Sequence, residues 1–315
     1  MKLFRTNKSK LEVITETPFK LEKDIQSLVE SNLFEFFSLE FVASELSVDN
    51  FRIDTLAFDY ELNSFVIIEY KKGSSYSVID QGFTYLSLLL NNKSDFVLEY
   101  NETKNKSIKR DSIDWSQSKI VFISPNFSAF QKTSVNFKDV PFELWEIKRF
   151  SNSSIILNEL KNNSKESIGL VGKSNDSLIK NVSKEIRKFT EEDHINGMKF
   201  KNYSIPKPND TIRSLYFKYK ERLLDTFPDA EIKVNKCEIG FIDSKKCFVY
   251  FSLGKSFIKI WLNLKMGELK DELNLTRDVS DIGHWGVGDY EIKLENENKF
   301  EYVLSLIEQA YSDNS

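Results

Sequence analysis

The sequence predicts an α/β protein in two parts: a first domain of strands and helices over residues 1–150 and a second, α+β domain over 206–315, joined by a connector over 151–205. Three observations carry this reading. Through the first 150 residues, apolar runs of strand length are interspersed with segments of helical periodicity. The composition then turns to Asn, Ser and Lys ("LKNNSKESIGLVGKSNDS"), which buries little. Beyond it, one helix, three alternating strands and a closing helix form a second series. A chain of 315 residues is long enough for more than one core.

The elements follow in order. Residues 18–37 place Leu21, Ile25, Leu28, Val29 and Leu33 at helical spacing, with Thr17 as the expected N-terminal cap. "LEFVASELSV" (39–48) reads as a strand. "FRIDTLAFDYELNSFVIIEYKKG" (51–73) reads as two strands around a polar turn centred on Glu61–Ser64. In 76–90, Ile79, Phe83, Leu86 and Leu90 repeat as on a helix. "DFVLEY" (95–100) and "KIVFIS" (119–124) are expected strands, "FSAFQKTSV" a helix and "FELWEI" (142–147) a strand. One or two short helices are expected in the connector. After it, "TIRSLYFKYKERLLDTF" is a helix, "CEIGFID", "CFVYFSL" and "SFIKIWLNL" are strands, and "FEYVLSLIEQAY" is the last helix.

Composition narrows the function. A formal net charge of -4 excludes coating of nucleic acid by bulk electrostatics and leaves room only for a local basic site. Cys237 and Cys247 form no disulfide framework, no run approaches the length of a membrane span, and the N-terminus lacks the apolar segment of a signal peptide. A cytoplasmic protein with no membrane partner is expected. With only His194 and His284, a zinc site is not expected. The glycines of "GHWGVGD" (283–289) suit tight turns and lack the Gly-Lys-Ser/Thr of a phosphate-binding loop. His284 and Trp285 there are candidates for base stacking or for filling a pocket.

The chemistry concentrates in residues 51–73. Alternation puts Glu69 and Lys71 on one strand face with Tyr70 on the other, and the hairpin brings Asp54 opposite them. Two carboxylates at a strand junction form a hard-oxygen site suited to Mg²⁺. A lysine beside them can orient water or offset charge on a phosphate. The alternative is a surface salt bridge. The apolar run "VIIEY" argues for an inner strand, where an unpaired carboxylate is costly.

Asp54, fourteen intervening residues and Glu69-Tyr70-Lys71 resemble the D…ExK signature of the PD-(D/E)xK nuclease superfamily, and "QGFTY" resembles the Q-x3-Y element of its RecB-like and NucS-like branches. Ile53 stands where the signature's name has proline. The resemblance implies a restriction-endonuclease-like mixed sheet flanked by helices. It implies a metal site of Asp54, Glu69, the Tyr70 carbonyl and an opening-helix glutamate, Glu22 or else Glu30. It also implies a catalytic Lys71 steadied by Gln81 and Tyr85, which also contact the nucleic acid. Arg52, two before Asp54 and on the same strand face, is a candidate phosphate contact or else a plain ion pair. The implied activity is Mg²⁺-dependent DNA hydrolysis, with Mn²⁺ as substitute, in bacterial defence, restriction or repair, and with a homodimer possible. The alternative is a non-catalytic nucleic-acid-binding or assembly protein on the same scaffold. The last hundred or so residues are similar to domain of unknown function 5655, which implies a recognition or assembly module. Lys255, Lys259 and Trp261 are its candidate contacts with nucleic acid.

Overall fold

The computed structural model describes residues 2–73, 77–168, 177–243, 246–282 and 288–314. The chain divides into two compact units, Met1–Lys188 and Phe189–Ser315.

The first unit opens with a hairpin, β1 (Leu3–Asn7) and β2 (Lys10–Ile14), followed by helices α1 (Glu22–Glu30) and α2 (Leu33–Phe37). Strands β3 (Glu40–Val48), β4 (Phe51–Asp59) and β5 (Ser64–Tyr70) lead to helices α3 (Val78–Asn91) and α4 (Lys93–Lys104). Then come β6 (Lys119–Ser124), α5 (Ala129–Ser134), β7 (Phe142–Arg149), β8 (Ile155–Glu159) and α6 (Ser177–Ser183). Strands β3 to β8 form one mixed sheet in sequence order. Strands β5, β6 and β7 run parallel and the flanking pairs antiparallel. One face packs on α1 and α2 through Ile25, Val29, Leu33, Ala57, Val66, Ile68 and Tyr70. The other packs on α3 and α4 through Leu56, Phe65, Ile67, Phe83, Leu86 and Phe96, and also buries Val182 and Ile186. The central strand β5 is therefore buried on both faces, and the apolar run of "VIIEY" follows from that position.

Several expectations change. The predicted opening helix is two helices, broken near Ser31 and Asn32. Thr17 does not cap it: its N–H donates to the Arg149 carbonyl at 2.7 Å, and Asp24 Oδ2 instead accepts the Lys20 and Leu21 N–H groups. "DFVLEY" is helical, because Phe96, Val97 and Tyr100 are spaced to bury one helix face; over six residues an apolar run does not separate strand from helix. The hairpin turn lies at Tyr60–Asn63, where Asp59 Oδ1 accepts the Leu62 N–H and Asn63 takes φ 48°. Within 151–205, β8 joins the sheet edge and α6 brings Val182 to the core.

The second unit comprises α7 (Glu191–Asn196), β9 (Met198–Phe200), β10 (Tyr203–Ile205), α8 (Asp210–Thr226), β11 (Glu231–Val234), β12 (Ile239–Asp243), β13 (Lys246–Leu253), β14 (Ile258–Leu262), β15 (Arg277–Asp278), β16 (Tyr290–Leu294) and α9 (Phe300–Asn314). Six antiparallel strands in the order β11-β12-β13-β14-β16-β15 pack against α8 and α9. Both cysteines are free thiols, since the register sets Cys247 against Ile242 rather than Cys237. His284 and Trp285 lie outside the described residues. Gly288, at φ 98°, would place an added Cβ 1.9 Å from the Leu262 carbonyl oxygen, so only glycine fits. Trp261 is buried beside Tyr250, and Lys259 pairs with Glu291 at 2.9 Å. Trp261 thus fills the core, the alternative to a stacking face, and Lys259 is engaged by a carboxylate of the neighbouring strand.

Candidate active site

The site lies where β4 and β5 end their pairing. Thr55 pairs with Ile68, so the next residues along, Asp54 and Glu69, stand opposite one another. Ile53 and Leu56, three residues apart, both enter the core under α3, so simple alternation breaks across Asp54. Glu45, at φ 54°, lies between the Ser44–Thr55 and Leu46–Ile53 pairs, and the register of β3 on β4 shifts further along, between Phe41 and Ala43.

Backbone groups cross-link the two carboxylates. The Asp54 N–H donates to Glu69 Oε1 at 3.3 Å, and the Tyr70 N–H donates to Asp54 Oδ2 at 3.0 Å. Glu69 is 1% exposed, and its Oε2 accepts from Lys71 Nζ at 3.1 Å and from Gln81 Nε2 at 3.0 Å. Lys71 is itself buried, so the pair is no surface salt bridge. The Lys71 N–H donates to the Ile123 carbonyl at 2.9 Å and ties the end of β5 to β6. Tyr70 faces the other way, its hydroxyl 3.1 Å from Thr55 Oγ1.

Helix α3 brings the second group of residues. Ser77 caps it through the Asp80 N–H, and Gly82 lets it lie against the Phe142 ring, which an added Cβ would meet at 2.5 Å. Gln81 and Tyr85, one turn apart, then face the carboxylates. Gln81 Nε2 donates to the Tyr85 hydroxyl at 3.2 Å, and that hydroxyl donates to the Arg52 carbonyl at 3.1 Å. Gln81 Oε1 is buried without a partner.

Burial, with the Asp54 charge second, pushes the Glu69 carboxyl up to about 7 despite Lys71 and the Asp54 N–H. Burial likewise raises Asp54, opposed by the Tyr70 N–H and by Lys71. The Tyr85 phenol is raised by burial and by the Glu69 charge. Two carboxylates that resist ionisation side by side are what a cation between them would relieve.

The remaining sequence candidates divide. Glu22, at the start of α1, accepts the Lys72 N–H at 2.7 Å, and its charge reaches Asp54. Glu30 accepts from Thr55 Oγ1 at 2.6 Å and from Gln26, beside the Tyr70 hydroxyl and away from Lys71. Arg52 is exposed and forms an ion pair with Glu45 at 2.9 Å. Sequence reading missed Gln26, which is 3% exposed and donates to the Asp54 carbonyl at 2.9 Å, to Ser44 Oγ at 3.1 Å and to Glu30 Oε1 at 3.0 Å. Its only signal was a polar residue beside Ile25 on the buried face of the opening helix.

Fold and site together define a two-unit α/β protein in which two carboxylates, a lysine and a glutamine meet at the carboxyl end of a buried parallel strand. The chain belongs to the same family as an uncharacterized protein of Haemophilus influenzae, with which it is 44% identical over 314 residues, or 99% of this chain and 100% of that one. Residues 203–314 match the family described as domain of unknown function DUF5655. Among solved structures, a repair endonuclease from Pyrococcus abyssi aligns at 14% identity and TM-score 0.26, over 38% of this chain and 45% of that one. A structure described as an EndoMS–dsDNA complex aligns at 13% and 0.27, over 41% and 47%. Pyrococcus furiosus SfsA with Ca²⁺ aligns at 12% and 0.24, over 47% and 75%. This chain therefore spans less than half the length of the first two structures.

Proposed function

We propose that the first unit is a Mg²⁺-dependent deoxyribonuclease acting in bacterial defence, restriction or repair. The observation that carries this is the buried Glu69 carboxylate, gripped by Lys71 and Gln81 with Asp54 opposite. A purely structural ion pair needs no second carboxylate, yet here burial raises both, and the Asp54 charge raises Glu69 further.

The donor set fits a hard divalent cation. Among the described residues no group of three or more His, Cys, Asp and Glu side chains is arranged to hold a metal ion. The holders would therefore be the two carboxylates Asp54 and Glu69 with the Tyr70 carbonyl and solvent oxygens, a hard-oxygen set suited to Mg²⁺, while Glu22, which accepts the Lys72 N–H, would act from outside it. The unpartnered Gln81 Oε1 is a further acceptor at the same place. Bound there, the cation supplies charge neutralisation at the phosphoryl oxygen and acidifies the attacking water.

The protein's own groups do the rest. Lys71 Nζ, aimed by its bond to Glu69 Oε2, donates to a non-bridging phosphate oxygen as charge builds there. Gln81 and Tyr85 fix the Glu69 carboxylate and, through the Arg52 carbonyl, the end of β4. The water oxygen attacks phosphorus in line and gives up its proton to solvent, the P–O bond to the departing sugar oxygen breaks, and that oxygen takes up a proton from solvent.

The test is cleavage of supercoiled, linear and single-stranded DNA in Mg²⁺ and Mn²⁺ by wild type and Lys71→Ala. Wild-type cleavage that falls at least about 100-fold in the variant supports the reading. Metal-independent cleavage, or equal rates, overturns it. No cleavage of any DNA by wild type returns the site to a scaffold role.

A further inference from the structure

The hairpin β1–β2 pairs only with itself among the described strands and has no core of its own. Its two faces differ. Phe4, Thr6, Leu11 and Val13 share one, with Leu11 and Val13 about two-thirds exposed, and Leu3, Arg5, Lys10, Glu12 and Ile14 share the other, Arg5 opposite Glu12. An isolated two-stranded hairpin is marginal in water, so local stability does not account for it.

Charge indicates its use. Lys2, Arg5, Lys8 and Lys10 against Glu12 give residues 2–14 a net +3 in a chain of -4, and all five side chains are exposed. Lys8 stands at the turn with φ 55°.

Position agrees with charge. The chain leaving β2 is fixed at the carboxyl end of β7: Glu16 bridges Phe150, the Thr17 N–H donates to the Arg149 carbonyl, and the Ser151 N–H donates to the Thr15 carbonyl. Because β5, β6 and β7 are parallel, this is the same sheet end that carries Glu69, Tyr70 and Lys71, two strand spacings or about 10 Å away. The following residues run back to that site, where Lys72 Nζ meets the Lys20 carbonyl and the Lys72 N–H meets Glu22.

We infer that β1–β2 is a basic ribbon that grips the phosphate backbone of the duplex presented to the Asp54–Glu69 site, a sequence-independent contact that holds the substrate in place. This rests on the nuclease reading. A two-stranded ribbon matches the width of the DNA major groove, and strand-end lysines and an arginine are suited to the phosphates along its edges.

The test uses the full chain and a short labelled duplex, with Ca²⁺ in place of Mg²⁺ and integrity of the DNA checked on a gel. Wild type is compared with the triple variant Arg5→Gln, Lys8→Asn, Lys10→Gln, in which Asn suits the left-handed turn position. Anisotropy titrations span about 50 to 200 mM salt. Three lost phosphate contacts lower the slope of log K against log salt by about 2 to 3 and weaken binding at least about tenfold, with an unchanged melting temperature. If wild type binds and the variant matches it in slope and affinity, the ribbon has no such role while the nuclease reading stands. If wild type binds no DNA, the nuclease reading fails and the inference with it. A second variant, Phe4→Ser, Leu11→Ser, Val13→Ser, examines the apolar face. A fall in mass by light scattering with DNA affinity intact makes the hairpin a self-association surface and overturns the inference.

Discussion

Replacing Glu69 by Gln in the metal-free protein isolates the electrostatic cost of the site. The substitution keeps size and leaves a side-chain oxygen for Lys71 Nζ and Gln81 Nε2; its NH2 replaces the Oε1 that accepts the Asp54 N–H, so that bond is lost at every pH, while the charge facing Asp54 is removed. Glu69 is raised from an ordinary 4.5 to about 7, and about 1.4 kcal/mol per pH unit makes its ionisation cost the fold about 3 kcal/mol, an upper figure. The sign follows from which state holds its proton longer. Below 4.5 both folded and unfolded chains carry it, and the substitution costs only the Asp54 N–H bond, a pH-independent loss. Between 4.5 and about 7 the unfolded chain ionises first, so wild-type stability falls as pH rises; above 7 the deficit is constant. Glu69→Gln is therefore expected to gain on wild type by up to about 3 kcal/mol, or several degrees in the melting of the first unit, between pH 4.5 and pH 8. Denaturant unfolding in chelator at both pH values measures this. A variant equally destabilised at both would refute the argument and show that Glu69 is a satisfied structural partner of Lys71.

Three further outcomes are expected. Mn²⁺ titration calorimetry shows binding to wild type that is lost in the Asp54→Ala, Glu69→Ala double variant, and the metal raises the melting temperature of wild type alone; equal heats in the two proteins would remove the metal site. Gln26→Leu leaves the Asp54 carbonyl, Ser44 and Glu30 without a common donor, at a cost of about 1–3 kcal/mol by denaturant titration, and weakens Mn²⁺ binding; unchanged stability and affinity would show that Gln26 positions nothing. Gly288→Ala places a Cβ on the Leu262 carbonyl oxygen at φ 98°, so it lowers the melting temperature of the second unit and leaves Mn²⁺ binding intact; an unchanged melt would contradict the geometry there.

The half of the site built from Asp54, Glu69, Lys71, Gln81 and Tyr85 was legible because its logic is local. A hairpin with a short turn fixes which residues oppose each other, so Asp54 against Glu69 and Lys71 follows from counting, and Gln81 and Tyr85 follow from one helical turn. Gln26 was not legible, since its partners Ser44 and Asp54 lie 18 and 28 residues away and nothing local distinguishes it from a polar helix residue. The same limit hid β8 and the role of Val182, whose burial depends on a sheet edge assembled elsewhere. "DFVLEY" failed for the opposite reason: strand and helix both satisfy a six-residue apolar run, and packing against the sheet decided. The hairpin β1–β2 shows a polar–apolar alternation in "KLEVI", but over five residues with neither face buried it is too short to mark a strand.

The distribution of basic residues bears on how an acidic chain holds a polyanion. Lys259 is engaged by Glu291, Trp261 is buried, and Arg277 also lies against Glu291 at 3.8 Å, so the central strands of the second unit spend these groups internally. In the first unit Arg52 is held by Glu45, and Lys71 by Glu69. A guanidinium or ammonium committed to a carboxylate must give that partner up before it neutralises a phosphate, which lowers its net contribution. Lys2, Lys8 and Lys10, exposed on a hairpin with one acidic residue among thirteen, carry a far smaller local deficit. On this reasoning the salt dependence of binding is set at the N-terminal ribbon, while the buried carboxylates set the dependence on metal and pH. The two variant sets, Arg5/Lys8/Lys10 and Asp54/Glu69, should then act independently: their effects on the free energy of DNA binding should add, since no side chain is shared between them. A coupling much above about 0.5 kcal/mol in the combined variant would mean that ribbon and site move together.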